Sequence, residues 1–197
     1  MPCLEAGSRN AAVGCESRAT PSQRLLEDSG ESLRLLSLLL APPTPPLVEL
    51  LRGDTSLPGG GEWVVAQGDD ATLLARLREE HTRLFVNAFP GLAAPPYAAV
   101  YLAAEDAPAL LERIAYRLQS LGVGCNGGTN ERPDHLRVLL EAAGHCPAGI
   151  QRADFLAEFL LPWLDAYLER LAGAASLPLY PALVGSARAL IRAEASE

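Results

Sequence analysis

The chain predicts an all-α protein, a single bundle-like body of two helical halves joined by a hinge near residues 122–130. Three observations predict it. Of the 197 residues, 49% are apolar and only 6% aromatic, and the apolar bulk is Leu and Ala, both good helix formers. Runs of β-branched residues are scarce, with Trp63-Val64-Val65 the main exception. Apolar residues recur at helical spacing in windows bounded by Pro or Gly. The length is enough for one sizeable core.

Residues 1–19 are small and polar without periodicity, which predicts a mobile tail ahead of one domain over residues 20–197. Thr20-Pro21-Ser22-Gln23 reads as a helix start, with Thr20 as cap, Pro21 in the first turn and Gln23 completing a capping box. That helix is expected to run to about Leu40 and stop at Pro42-Pro43. A short helix near residues 47–52 precedes Pro58-Gly59-Gly60-Gly61, which forces a loop. Residues 70–88 read as one long helix, with Leu73, Leu77, Leu84, Phe85 and Ala88 on one stripe and His81 among them; Phe89-Pro90-Gly91 ends it.

Pro95-Pro96-Tyr97 is extended at its start, because a proline disfavours the α region in the residue before it. Asp106 with Pro108 opens the next helix, which reaches Leu121 before the Gly-rich residues 122–128. Asn130-Glu131-Arg132-Pro133-Asp134-His135-Leu136 then starts a helix through about Ala143, with Leu136, Leu139, Leu140 and Ala143 facing inward. Residues 155–161 form another apolar helix. Pro162 starts or kinks its continuation through Trp163, Leu164, Tyr167, Leu168 and Leu171, and a last helix covers residues 181–193.

Charge and cysteine usage narrow the function. The 24 acidic and 16 basic residues give a formal charge of -8, which repels phosphate backbones, and no Lys/Arg stripe with interleaved aromatics appears. A nucleic-acid partner is not expected on that ground. The acidic surface either maintains solubility or attracts a basic segment. Cys3, Cys15, Cys125 and Cys146 form no Cys-x-x-Cys pair, hence neither a disulfide framework nor a structural zinc pattern. The first twenty residues lack an apolar core, and residues 33–41 fall far short of the ~20 needed to span a bilayer. A reducing cytoplasm is the expected compartment.

The cluster around Asp134 and His135 is the densest concentration of chemistry. Adjacent on a helix, the two side chains would diverge by ~100° and not pair as acid and base. His81 and His145 join them only through tertiary folding. The chain has no Gly-x-Ser-x-Gly, no His-Glu-x-x-His and no dinucleotide fingerprint, and Gly59-Gly60-Gly61 lacks the Lys-Ser/Thr of a phosphate loop. His135, His145, Cys125 and Cys146 match no metal-ligand spacing. Capping accounts for more: Pro133 fits a first turn, and acidic groups there satisfy free N–H groups and complement the helix dipole. The cluster reads as a capped helix start after a glycine-rich hinge, which explains Asp134 better than it explains the accompanying His135 and Glu131.

With these motifs in their order, the chain resembles the TorD/DmsD family of redox-enzyme maturation chaperones over residues 25–191. The resemblance rests on His81-x-x-Leu84-Phe85, then Pro96-Tyr97-x-x-Val100-Tyr101, then Glu131-x-x-Asp134-His135-Leu136 with Leu140-Glu141, then an apolar helix containing Trp163. It departs from the family at His81, commonly aromatic there, at Ala98-Ala99, often Glu-Ser, and at Pro133, a displaced proline. The resemblance implies a cytoplasmic, cofactor-free chaperone and no enzyme. Such a protein binds the twin-arginine signal peptide and the immature form of a molybdenum-containing oxidoreductase. It implies His81, Leu84, Phe85, Pro96, Tyr97, Asp134 and His135 as peptide-binding residues, with Gly127, Gly128 and Glu131 in the hinge. Physically, Asp134 would meet guanidinium groups while Leu84, Phe85, Pro96 and Tyr97 take an apolar run. The alternatives are a small helical enzyme or nucleotide-binding protein, or a helical scaffold for an unrelated protein. Monomer and hinge-swapped dimer both remain open.

Overall fold

Helix α1 (Ser29–Leu39) begins at Asp28, whose carboxylate accepts from the Gly30 and Glu31 N–H groups at 2.8 and 3.4 Å. The computed structural model describes residues 28–54, 57–86, 91–102, 105–123 and 131–196. The expected tail, the cap at Thr20 and the hinge residues Gly127 and Gly128 lie outside them. Asp28 is extended (φ -132°, ψ 104°), so the helix is not one unbroken element from Thr20 to Leu40. The side chain of Asp28 bonds the N–H groups that a continuing helix would use itself, which places a boundary there.

Helix α2 (Pro45–Gly53) follows, with proline in its first turn. The Trp63-Val64-Val65 run falls in a single helical turn, α3 (Glu62–Val65). The loop before it needs its glycine: Gly59 has φ 75°, and a Cβ there would lie 2.6 Å from the Leu179 Cα. Helix α4 (Asp70–His81) is capped by Asp69, whose carboxylate accepts from Thr72 N–H at 2.8 Å. It does not continue as α-helix towards residue 88, but widens into a π turn over Thr82–Val86. A 3₁₀ turn at Ala98–Val100 leads to α5 (Ala107–Ser120).

The second part comprises α6 (Leu136–His145), α7 (Ile150–Phe159), α8 (Leu161–Ala174) and α9 (Leu179–Glu194). Pro162 sits in the first turn of α8, where its missing N–H leaves no bond unmade, so it starts a helix rather than kinking one. Helix α1 packs along α6 and α9, while α9 also covers α7 and α8. One apolar cluster runs from Leu33 in α1 to Ile191 in α9 and includes Ile114 and Leu118 before residues 124–130, and Leu136 and Leu139 after them. The segments on either side of the predicted hinge therefore share a core. Among the described residues no helix is long and apolar enough to cross a membrane.

Candidate functional site

The fold brings three local structures together: the π turn after α4, the Pro95-Pro96-Tyr97 segment, and the start of α6. The latter two are clipped to each other. Leu136 N–H donates to the Pro96 carbonyl at 2.8 Å and Ala98 N–H to the Asp134 carbonyl at 3.0 Å, so that Tyr97 and His135 form an antiparallel bridge. The two prolines explain why this segment lies straight enough to pair, since each holds the residue before it out of the α region.

At the start of α6 the capping residue is His135, not Asp134. The His135 backbone is extended, and its Nδ1 accepts the Arg137 N–H at 3.1 Å. Asp134 turns the other way. Its carboxylate is fully buried, takes Arg132 Nε and Nη2 at 3.0 and 3.2 Å, and accepts Ala99 N–H at 3.1 Å. It staples the α6 start to the 3₁₀ turn instead of satisfying the free N–H groups of its own helix. Arg132 lies over the Tyr97 ring, 5.1 Å from its centroid, and completes that wall by a cation–π contact.

The π turn is held by Glu80, a buried carboxylate in the last turn of α4. Glu80 accepts from Arg83 Nε and Nη2, from the Ser176 N–H and hydroxyl at 2.6 and 2.7 Å, and from the Leu177 N–H at 3.2 Å. Burial pushes this carboxyl up, but the bonds from Ser176, Arg83 and Leu177 together outweigh it and hold the group below the usual carboxylate range. The wider turn separates neighbours: Leu84 is fully buried in the core, while Phe85 and Val86 face the recess. Phe85 meets His81 and Tyr180 edge-on, each at 5.1 Å between centroids.

Between these structures lies a recess of about 120 Å³. Leu40, Pro42, Phe85, Val86, Pro96 and Tyr97 give it apolar and aromatic walls, and His81, Glu131, His135 and Arg137 its polar groups. His135 and Tyr97 meet edge-on at 5.2 Å. Burial, then the nearby charges of Arg137 and His81, bring the His135 ring down to about 4, so at neutral pH it is uncharged. Burial and Arg137 lower His81 too, against a backbone interaction with Leu40 that works the other way. No three His, Cys, Asp or Glu side chains converge as metal ligands among the described residues.

Five of the residues that the resemblance implies thus share one recess: His81, Phe85, Pro96, Tyr97 and His135. Leu84 and Asp134 are buried behind it. Glu131, expected in the hinge, lines the recess itself, as do Leu40, Pro42, Val86, Arg137 and Tyr167, which sequence reasoning had not assigned to it. Only Arg137 carried a signal, its position two residues beyond His135.

The helical arrangement of the described residues has a solved counterpart. The chain is similar to a candidate redox enzyme maturation protein from Archaeoglobus fulgidus, at 20% identity and a TM-score of 0.53, over 83% of this chain and 91% of that one. At that identity the likeness establishes the fold. The lineage follows from the sequence, whose residues 45–169 match the family described as nitrate reductase delta subunit. The chain belongs to that family, the TorD-like chaperones of redox-enzyme maturation. None of the curated proteins matches it.

Proposed function

We propose that the protein binds the twin-arginine signal peptide of a molybdenum-containing oxidoreductase precursor, in the cytoplasm, and retains the immature enzyme until its cofactor is inserted. It acts by binding, without a chemical step of its own. The observation that carries this reading is the convergence of His81, Phe85, Pro96, Tyr97 and His135 on one recess. Membership of a nitrate reductase delta subunit family supports a molybdoenzyme as client. The physics agrees: a signal peptide offers a basic pair and then an apolar run, and the recess offers apolar and aromatic walls beside a carboxylate. The chain's charge of -8 accelerates the encounter with such a segment.

Calorimetric titration of the purified chain against the twin-arginine leaders of its native host tests the proposal. Saturable binding to at least one leader is expected. Absence of binding to every leader, and to the full-length precursors, overturns it.

A further inference from the structure

We propose that Glu131, and not Asp134, is the carboxylate that receives an arginine of the bound segment. The inference rests on the binding reading above and deepens it. Two carboxylates flank the recess, and their surroundings differ. Asp134 is fully buried with both oxygens engaged, by Arg132 and by the Ala99 N–H. An incoming guanidinium would have to displace Arg132 from a carboxylate that is itself fully enclosed.

Glu131 is differently placed. Its side chain is 36% exposed and lines the recess. The contact it makes is with His135 Nε2 at 3.7 Å, beyond hydrogen-bond distance. Because His135 Nδ1 accepts the Arg137 N–H, the proton of the neutral ring sits on Nε2, which is therefore an uncharged donor. No Lys or Arg among the described residues forms an ion pair with Glu131. Arg137 also lines the recess, but it is anchored on α1, where its Nε donates to the Ser37 carbonyl at 3.1 Å.

A carboxylate without a cation, at the mouth of an apolar recess, is a bidentate partner for a guanidinium. The apolar residues that follow the arginine then lie against Phe85, Pro96 and Tyr97. Asp134 acts through another residue. By holding Arg132 over Tyr97 it keeps this wall in place, which makes it a positioning residue.

The test uses a twin-arginine leader that binds the wild-type chain, and the same peptide with both arginines replaced by glutamine. Each is titrated against wild type, Glu131→Gln and Asp134→Asn, with thermal melting as the check on folding. Glu131→Gln is expected to melt like wild type, to lose about tenfold in affinity for the arginine peptide, and to bind the glutamine peptide as wild type does. Asp134→Asn is expected to melt at a lower temperature. While folded it should still discriminate between the two peptides. If Glu131→Gln weakens both peptides equally, or neither, or if wild type does not distinguish them, the inference is overturned while the binding reading stands. Failure of every leader to bind removes the reading itself.

Discussion

Nδ1 of His135 closes the first turn of α6 by accepting the Arg137 N–H, so the cap holds only while that nitrogen carries no proton. In the folded chain burial keeps the ring neutral down to about 4, whereas the free side chain takes up a proton near 6.5. Between those values the unfolded chain binds more protons than the folded one, so acid favours unfolding. The contribution of His135 is complete above pH 6.5 and is lost progressively as the pH falls to about 4, on the order of 3 kcal/mol in all. Asn caps a helix without titrating. His135→Asn is therefore expected to lose less stability than wild type between pH 7 and 4 in urea unfolding; parallel losses would contradict the assignment. Asp134 makes a second case. Its adjacency to His135 suggests an exposed group whose removal weakens peptide binding and leaves the fold intact. Buried under Arg132 and Ala99, it contributes first to stability, and Asp134→Ala, which removes its hydrogen bonds to both, is expected to lower the unfolding free energy by about 2 kcal/mol.

Helices α1 and α6 cross at Gly30 and Gly144, where the backbones come close enough to exclude a side chain. A Cβ on Gly144 would lie 2.5 Å from the Arg34 Cγ and 2.7 Å from the Gly30 carbonyl oxygen. The Arg34 Cγ sits near its own backbone rather than at the free end of the side chain, and the Gly30 carbonyl belongs to a packed helix, so neither gives way cheaply. Gly144→Ala improves helix propensity by about 1 kcal/mol, yet overpacking of this kind costs about 1–3 kcal/mol. Net destabilisation is expected in chemical unfolding, larger for Gly144→Val than for Gly144→Ala, and a stabilised Ala variant would refute the close crossing. Such features also mark what could be read from the chain. Helix ends bounded by Pro and Gly were legible, as at Pro42-Pro43 and Pro162, and so was the spacing of His81 and Phe85 on one face. The π turn was not, because Glu80 holds it through Ser176 and Leu177, far away in the chain. His135 as cap was hidden for a similar reason: Asp134, the better capping residue type, is drawn off by Arg132 and Ala99, and the next residue takes its place. The resemblance places Glu131 in the hinge, and only tertiary packing brings it to the recess beside Phe85 and Pro96.

The glycine-rich stretch invites a picture of two halves that move and unfold separately, but the packing of the described residues opposes it. Helix α1, from the first half, lies along α6 and α9 of the second, and one apolar cluster takes in both. The α3 region is tied in as well, since Gly59 abuts the Leu179 backbone in α9 and its carbonyl accepts the Trp63 indole N–H. The two tryptophans report on different elements of this body: Trp63 sits in α3, and Trp163 is buried in α8, where its indole N–H donates to the Phe159 carbonyl at 2.7 Å. At this chain length a single transition is not automatic, so continuity of the core has to produce it. Trp63→Phe leaves Trp163 as the fluorescent probe, and Trp163→Phe leaves Trp63. Each variant sets its own stability, so its fluorescence midpoint in urea is compared with its own circular-dichroism midpoint. Coincidence is expected in both variants. Separation in either, above all loss of the Trp63 signal while the helices persist, would show that α3 and its neighbours unfold apart from the body that carries the recess.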